Sequence, residues 1–213
     1  MNLGGAGSGA EREPAPPLRP ATGDEHPSVV ETLVRAFGDD PLFAWLFPDR
    51  ATRPRRSAEF VRAVVGSTAD HGGLVMASPG HECAYLAYPP GWQGEAAEDG
   101  ALARPELRDL AGAVGALTRL LGERRHGLPP HLYCTYIGTR PEAQGRGLGR
   151  ALMEGFASWC DAEGVGFYAE ASSQRSLALY ERVGFPRLGD PIALPDGPLL
   201  HPVWRGPAPR SHP

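Results

Sequence analysis

Two spacings of apolar residues alternate along this chain. Val29, Val30, Leu33, Val34 and Phe37 recur at helical spacing and predict a helix over Asp24–Phe37, with Gly38 as its stop. Phe60, Val61, Val64 and Val65 predict a second helix over Pro54–Thr68. Leu107, Leu110, Val114, Leu117, Leu120 and Leu121 predict a third between Pro105 and Gly122. The runs Leu74–Ala77 and Glu82–Tyr88 read as strands joined by a Ser78-Pro79-Gly80 hairpin connection. Leu18–Ala21 predicts a short opening strand. The aromatic stretch Asp39–Pro48 predicts a short core-packing helix, and it would also suit a pocket wall, since pockets are mostly apolar with a few placed polar groups.

The second half is built around Leu132–Met153, LYCTYIGTRPEAQGRGLGRALM. An apolar strand over Leu132–Ile137 leads to a glycine-laden turn at Gln144–Gly149. A helix then opens with Leu148, Leu152 and Phe156 and ends near Gly164. Val165–Ala171 predicts another strand, Gln174–Val183 a helix stopped by Gly184, and Pro191–Leu194 and His201–Arg205 two short closing strands. Strands alternating with helices, with a hairpin early and a strand pair late, predict one α/β (α+β) domain, a mixed sheet covered by helices. That domain is expected over residues 18–205. Residues 1–17 and 206–213, rich in Gly, Pro and Ser, are expected to be disordered tails.

Composition narrows the chemistry. The net charge of −4 gives no basic face for nucleic acid, and no run reaches the ~18 apolar residues of a membrane span. All 21 basic residues are arginine, so neither a Schiff-base lysine nor a phosphate-loop lysine exists. Cys83, Cys134 and Cys160 form no close pair and sit among apolar residues, as free core thiols do. Their odd number, with no signal-peptide pattern, points to the cytoplasm. The histidines show no metal-ligand spacing, so no metal is expected. Six carboxylates lie between Asp24 and Asp49 against one arginine, Arg35; they are read as solvated surface, although an acidic rim would favour a cationic substrate.

Strand, glycine turn and helix in that order bring backbone N–H groups and the positive end of a helix to one point, an anion site suited to phosphate or pyrophosphate. A phosphate loop of the Gly-x4-Gly-Lys type needs the absent lysine. The dinucleotide fingerprint GxGxxG fails because Gly145, Gly147 and Gly149 alternate and Arg150 occupies the sixth position.

A third pattern fits. Gln144-x-x-Gly147-x-Gly149 after a strand resembles the Q/R-x-x-G-x-G/A signature of the GNAT-type N-acetyltransferase superfamily. The likeness extends to Thr139–Ala143, to Ala178–Phe185 (similar to the family's YERxGF ending), to Arg19–Glu25 and to Ala36–Pro41. It covers roughly Leu18–Arg205. Within the superfamily, Glu170-Ala171-Ser172 followed by Arg175, Leu177 and Tyr180-Glu181-Arg182 looks closest to the puromycin N-acetyltransferase-like branch.

The resemblance implies a twisted, mostly antiparallel sheet with helices on both faces and a splayed central strand. It implies acetyl-CoA as donor and the primary amine of a small molecule as acceptor, with direct transfer in a ternary complex. N–H groups of Gln144, Gly145, Arg146, Gly147, Leu148, Gly149 and Arg150 would surround the pyrophosphate, and Ile137, Gly138 and Thr139 would line the pantetheine arm, Gly138 allowing close approach or a bulge. Ser176 stands where many relatives carry a cofactor-binding asparagine. Tyr180 matches the tyrosine that faces the CoA sulfur as general acid, and Glu170 is the candidate base. The acceptor pocket is expected from Ala36–Phe47, Tyr88–Trp92 and the strands around His201 and Trp204. Alternatives are a peptide or protein N-terminal acetyltransferase, or an acyl-CoA-binding module without turnover. A monomer or homodimer is expected.

Overall fold

Strand β4 (His131–Thr139) anchors the sheet, running antiparallel to β3 (Cys83–Tyr88) on one side and parallel to β5 (Gly166–Ala171) on the other. The structure is a computed structural model and describes residues 18–92, 102 and 104–208. The tail expected at 1–17 lies outside the described residues, as does the part of the tail expected at 206–213 from 209 onward. Around the central strands are β1 (Arg19–Pro20), β2 (Leu74–Ala77), β6 (Ile192–Ala193) and β7 (Leu199–Arg205), in the order β1-β2-β3-β4-β5-β7-β6. Every neighbouring pair except β4–β5 is antiparallel, so the sheet is mixed and mostly antiparallel, as expected.

Helices cover both faces. On one lie α1 (His26–Ala36), α2 (Pro41–Leu46), α3 (Arg53–Asp70) and α4 (Ala111–Arg125). Val29, Leu33, Phe43, Phe60 and Val64 from these helices pack on Leu86, Tyr88, Tyr136 and Tyr168 of the sheet. On the other lie α5 (Leu148–Glu163) and α6 (Gln174–Arg182), which bury Met153, Phe156 and Tyr180 against Cys134, Phe167 and Ala169. Each fully buried aliphatic or aromatic side chain contributes about 1.5–3 kcal/mol relative to its exposed state. The alternation read from the sequence is thus the alternation of sheet faces. All three cysteines are buried and free.

Local chemistry moved several boundaries. The helix expected from Asp24 starts as a 3-10 turn, Gly23–Glu25, because Glu25 Oε2 accepts from Thr22 N at 2.9 Å in a capping box; α1 follows at His26. The stripe over Pro105–Gly122 splits into a 3-10 segment, Pro105–Leu110, and α4. Strand β4 is longer at both ends than Leu132–Ile137, because Thr139 pairs with Cys83 and His131 with Gly166. Helix α5 stops at Gly164 in the left-handed conformation, as glycine allows.

Candidate active site

The ladder between β4 and β5 is short. It pairs His131 with Gly166, Leu132 with Phe167, Tyr133 with Tyr168 and Cys134 with Ala169, and then ends although both strands continue. On the β3 side, Leu86 pairs with Tyr136 but Ala87 with Cys134, so Thr135 is an extra residue and β4 bulges there. A bulge bends its strand, and β4 turns away from β5 at the point where their pairing stops. The gap opens into a cleft of about 1060 Å³ lined by Thr135–Thr139, the glycine turn, Glu170, Ser172 and α6.

The turn closes one end. Gly145 and Gly147 have φ of 79° and 87°, left-handed values that glycine adopts freely, and Gly147 is the residue from which α5 starts. The first N–H groups of α5 lack carbonyl partners within the helix and carry its positive dipole end. Gln144 braces the turn: its Nε2 donates to Thr139 O at 3.1 Å while its Oε1 accepts from Arg175 Nη2 at 2.7 Å. Gln144, Gly145, Gly147, Leu148, Gly149 and Arg150 all line the cleft. Arg146 instead holds Glu82 at 2.6 Å, and Arg150 pairs with Glu154 at 2.8 Å one helical turn on.

Two expected details differ. Gly138 lines the cleft, but its lack of a side chain serves helix packing: a Cβ there would lie 2.5 Å from Ala36 Cβ. The bulge belongs to Thr135. Ser176 also lines the cleft, while its hydroxyl donates to Ser173 O at 2.9 Å and takes part in the capping box that starts α6.

Tyr180 and Glu170 both line the cleft. Tyr180 is buried, 4% exposed, and its pKa lies well above the ordinary phenol value, first through burial and then through the nearby Cys134 and Glu170. Tyr180 therefore keeps its proton throughout the neutral range and has a proton to donate. Glu170 is half-buried and close enough to raise the pKa values of Cys134, Tyr168 and Tyr180. Burial pushes the Cys134 thiol up, which disfavours the thiolate that a cysteine nucleophile would need.

The part of the cleft beside α2 holds what the sequence pattern missed. Asp40, one of the six carboxylates read as solvated surface, lines the cleft. Its Oδ2 accepts from Ser172 Oγ at 2.6 Å and its Oδ1 from Leu42 N at 2.9 Å, and burial raises its pKa. Leu117 and Leu121 of α4 and Leu200 of β7 line the same cleft. Trp92 instead stacks on Tyr88 with ring centroids 3.7 Å apart. His201 faces α6, its Nε2 lying 3.1 Å from Gln174 Nε2, and Trp204 packs on Gly166 and His131. These four residues fall outside the cleft lining. Among the described residues no group of three or more His, Cys, Asp or Glu could hold a metal ion, and no helix is long and apolar enough to cross a membrane.

The sequence that builds β3 to β5, the glycine turn and α6 matches a family model. Residues 79–185, about half of the chain, fit the Acetyltransferase (GNAT) family. The chain belongs to this family. Among proteins similar to this GNAT chain, the mycothiol acetyltransferase of Pseudarthrobacter chlorophenolicus is 36% identical over 111 residues, covering 42% of this chain and 34% of the relative. The mycothiol acetyltransferase of Arthrobacter sp. (strain FB24) is 28% identical over 198 residues, covering 75% and 61%. The chain thus spans from about a third to about three fifths of the length of these relatives. In three dimensions the GNAT chain superposes on the Corynebacterium glutamicum histone acetyltransferase HPA2 and related acetyltransferase with a TM-score of 0.65 and 27% identity, over 93% of this chain and 99% of that one.

Proposed function

We propose that the protein is an acetyl-CoA-dependent N-acetyltransferase acting on the primary amine of a small molecule. The observation that carries this reading is the junction of the glycine turn, the splayed β4–β5 gap and Tyr180 in one cleft. The residues present suit the donor. Gly145 and Gly147 clear space beside the α5 N–H groups for a pyrophosphate. Beyond Cys134 the ladder between β4 and β5 ends, and the β4 backbone there faces the cleft where an amide-bearing arm would lie. The thioester supplies an activated acetyl carbonyl.

The chain's own groups move the protons. An alkylamine has a pKa near ~10 and arrives mostly as ammonium, so a base is needed. Glu170 takes that proton, the amine nitrogen bonds to the acetyl carbon, and the carbon–sulfur bond breaks. Tyr180 hydrogen-bonds and protonates the leaving sulfur, and the extra proton on the attacking nitrogen passes to the Tyr180 oxygen as the amide forms. The acceptor enters beside Asp40, Leu121 and Leu200, which line the same cleft.

CoA release measured with acetyl-CoA over a panel of amines tests the reading, together with calorimetry of acetyl-CoA alone. Transfer to small amines supports it. Binding of acetyl-CoA with transfer to no amine would leave only a binding module, and transfer confined to peptide N-termini would replace the acceptor class. The base is tested by pH–rate profiles: Glu170→Gln should lose the acid limb, and an intact limb removes Glu170 from that role.

A further inference from the structure

Both signs of charge line the cleft, Arg35, Arg150, Arg175 and Arg182 against Asp39, Asp40 and Glu170. Arg150 and Arg175 stand in the first turns of α5 and α6, beside the glycine turn, and Arg35 is drawn to Glu142 at 2.9 Å. Asp40, capping α2, and Glu170 of β5 are the carboxylates set by the β4–β5 gap. An anionic donor and a cationic acceptor would each meet complementary charge.

Asp40 is built into its place. Ser172 Oγ holds one carboxylate oxygen at 2.6 Å, and the N–H of Leu42, at the start of α2, holds the other at 2.9 Å. Ser172 follows Glu170 by two residues, so the Asp40 carboxylate is tied to the chain segment that carries the candidate base. Keeping a partly desolvated carboxylate here costs stability that a bound cation would offset.

Part of the remaining wall is apolar. Leu42 of α2, Leu117 and Leu121 of α4 and Leu200 of β7 line the cleft, and they pack in one cluster with Ile192 and Leu194. A second charge on the acceptor would be laid against leucines.

We propose that the acceptor is a monocationic amine with an apolar body, its ammonium received by Asp40 beside Glu170 and its body resting on the wall formed by Leu42, Leu117, Leu121 and Leu200. This deepens the transferase reading and rests on it. It makes Asp40 a substrate-binding residue and α4 the element that selects the acceptor's shape.

The test compares 2-phenylethylamine, ethylamine and 1,4-diaminobutane, by calorimetric binding to the CoA-saturated protein and by CoA release with acetyl-CoA. 2-Phenylethylamine should bind about tenfold or more tightly than either of the others. Asn caps a helix as well as Asp, so Asp40→Asn keeps α2 and should raise the KM for 2-phenylethylamine about tenfold or more, with kcat little changed. Ser172→Ala, which leaves α2 untouched, should shift KM the same way by less. Leu121→Ala should weaken 2-phenylethylamine about threefold or more and leave ethylamine unaffected.

A preference for 1,4-diaminobutane, binding by none of the probes, or an unchanged KM in Asp40→Asn overturns the proposal. So does a fall in kcat at constant KM, which would make Asp40 the base. Selective 2-phenylethylamine binding that depends on Asp40 and Leu121 but yields no CoA release would uphold this inference and remove the transferase reading. CoA release that favours the diamine would do the reverse.

Discussion

Cys134 of β4 and Ala169 of β5 are the last partners of the one parallel ladder among the described residues. One residue further along β4, the bulge at Thr135 turns the strand, and its Oγ1 donates back to Leu86 O at 3.2 Å. The cleft exists because pairing to β3 continues to Thr139 while pairing to β5 does not. Glu170 and Ala171 pair only on their other side, with Pro202 and His201 of β7.

The proton held by Tyr180 gives the sharpest expectation for chemistry. Tyr180→Phe removes the donor and keeps the ring packed near Phe167 and Phe185. Turnover should fall by about 10² to 10⁴, the usual worth of a general acid, while the Kd for acetyl-CoA stays within about twofold. Steady-state kinetics paired with calorimetry check both numbers, and an unchanged kcat removes Tyr180 from the mechanism.

Gly138 should behave as a packing residue. A methyl group there meets Ala36 Cβ at 2.5 Å and Leu33 Cδ2 at 3.4 Å, both on α1. Gly138→Ala should lower unfolding stability by about 1–3 kcal/mol, the usual cost of overpacking. Urea titration measures this. A variant as stable as the parent but unable to bind acetyl-CoA would return Gly138 to the donor site.

Gly147 should behave the other way. Its φ of 87° strains any L-residue by about 1–2 kcal/mol, so Gly147→Ala either pays that strain or shifts the start of α5. In both cases the N–H groups that face the cleft are disturbed. The Kd for acetyl-CoA should rise by about tenfold, read by calorimetry, and equal affinity would separate the turn from the donor site.

Asp40 gives a pH-dependent signature without any ligand. Burial raises its folded-state pKa above the ordinary carboxylate value of 3.8, so the folded protein holds this proton more tightly than the unfolded chain. As pH rises from the unfolded pKa through the folded one, ionisation removes stability, and the loss is complete above the folded value. Asp40→Asn should therefore raise stability at pH 7, and the difference should shrink as pH falls from the folded pKa towards 3.8. Urea midpoints across that range test it. A variant less stable than the parent at pH 7 would show that Asp40's hydrogen bonds outweigh its desolvation.

Residue order alone determined much of this protein. The apolar periods of Val29–Phe37 and Leu148–Phe156 placed α1 and α5, and the alternating glycines after β4 placed the turn. The Gln144–Gly149 and Ala178–Phe185 patterns identified the family, because each depends on residues close in the chain. Tertiary structure decided the rest. Glycine signals a close approach without naming the neighbour, so only the fold shows α1 against Gly138. A bulge depends on the register of two strands, so Thr135 carries no local mark. Asp40 and Ser172 stand 132 residues apart, and only packing brings them together. Of the cleft, the glycine turn was legible because it is one contiguous segment. The part beside Asp40 joins α2, α4, β5 and β7, and the chain spells them far apart.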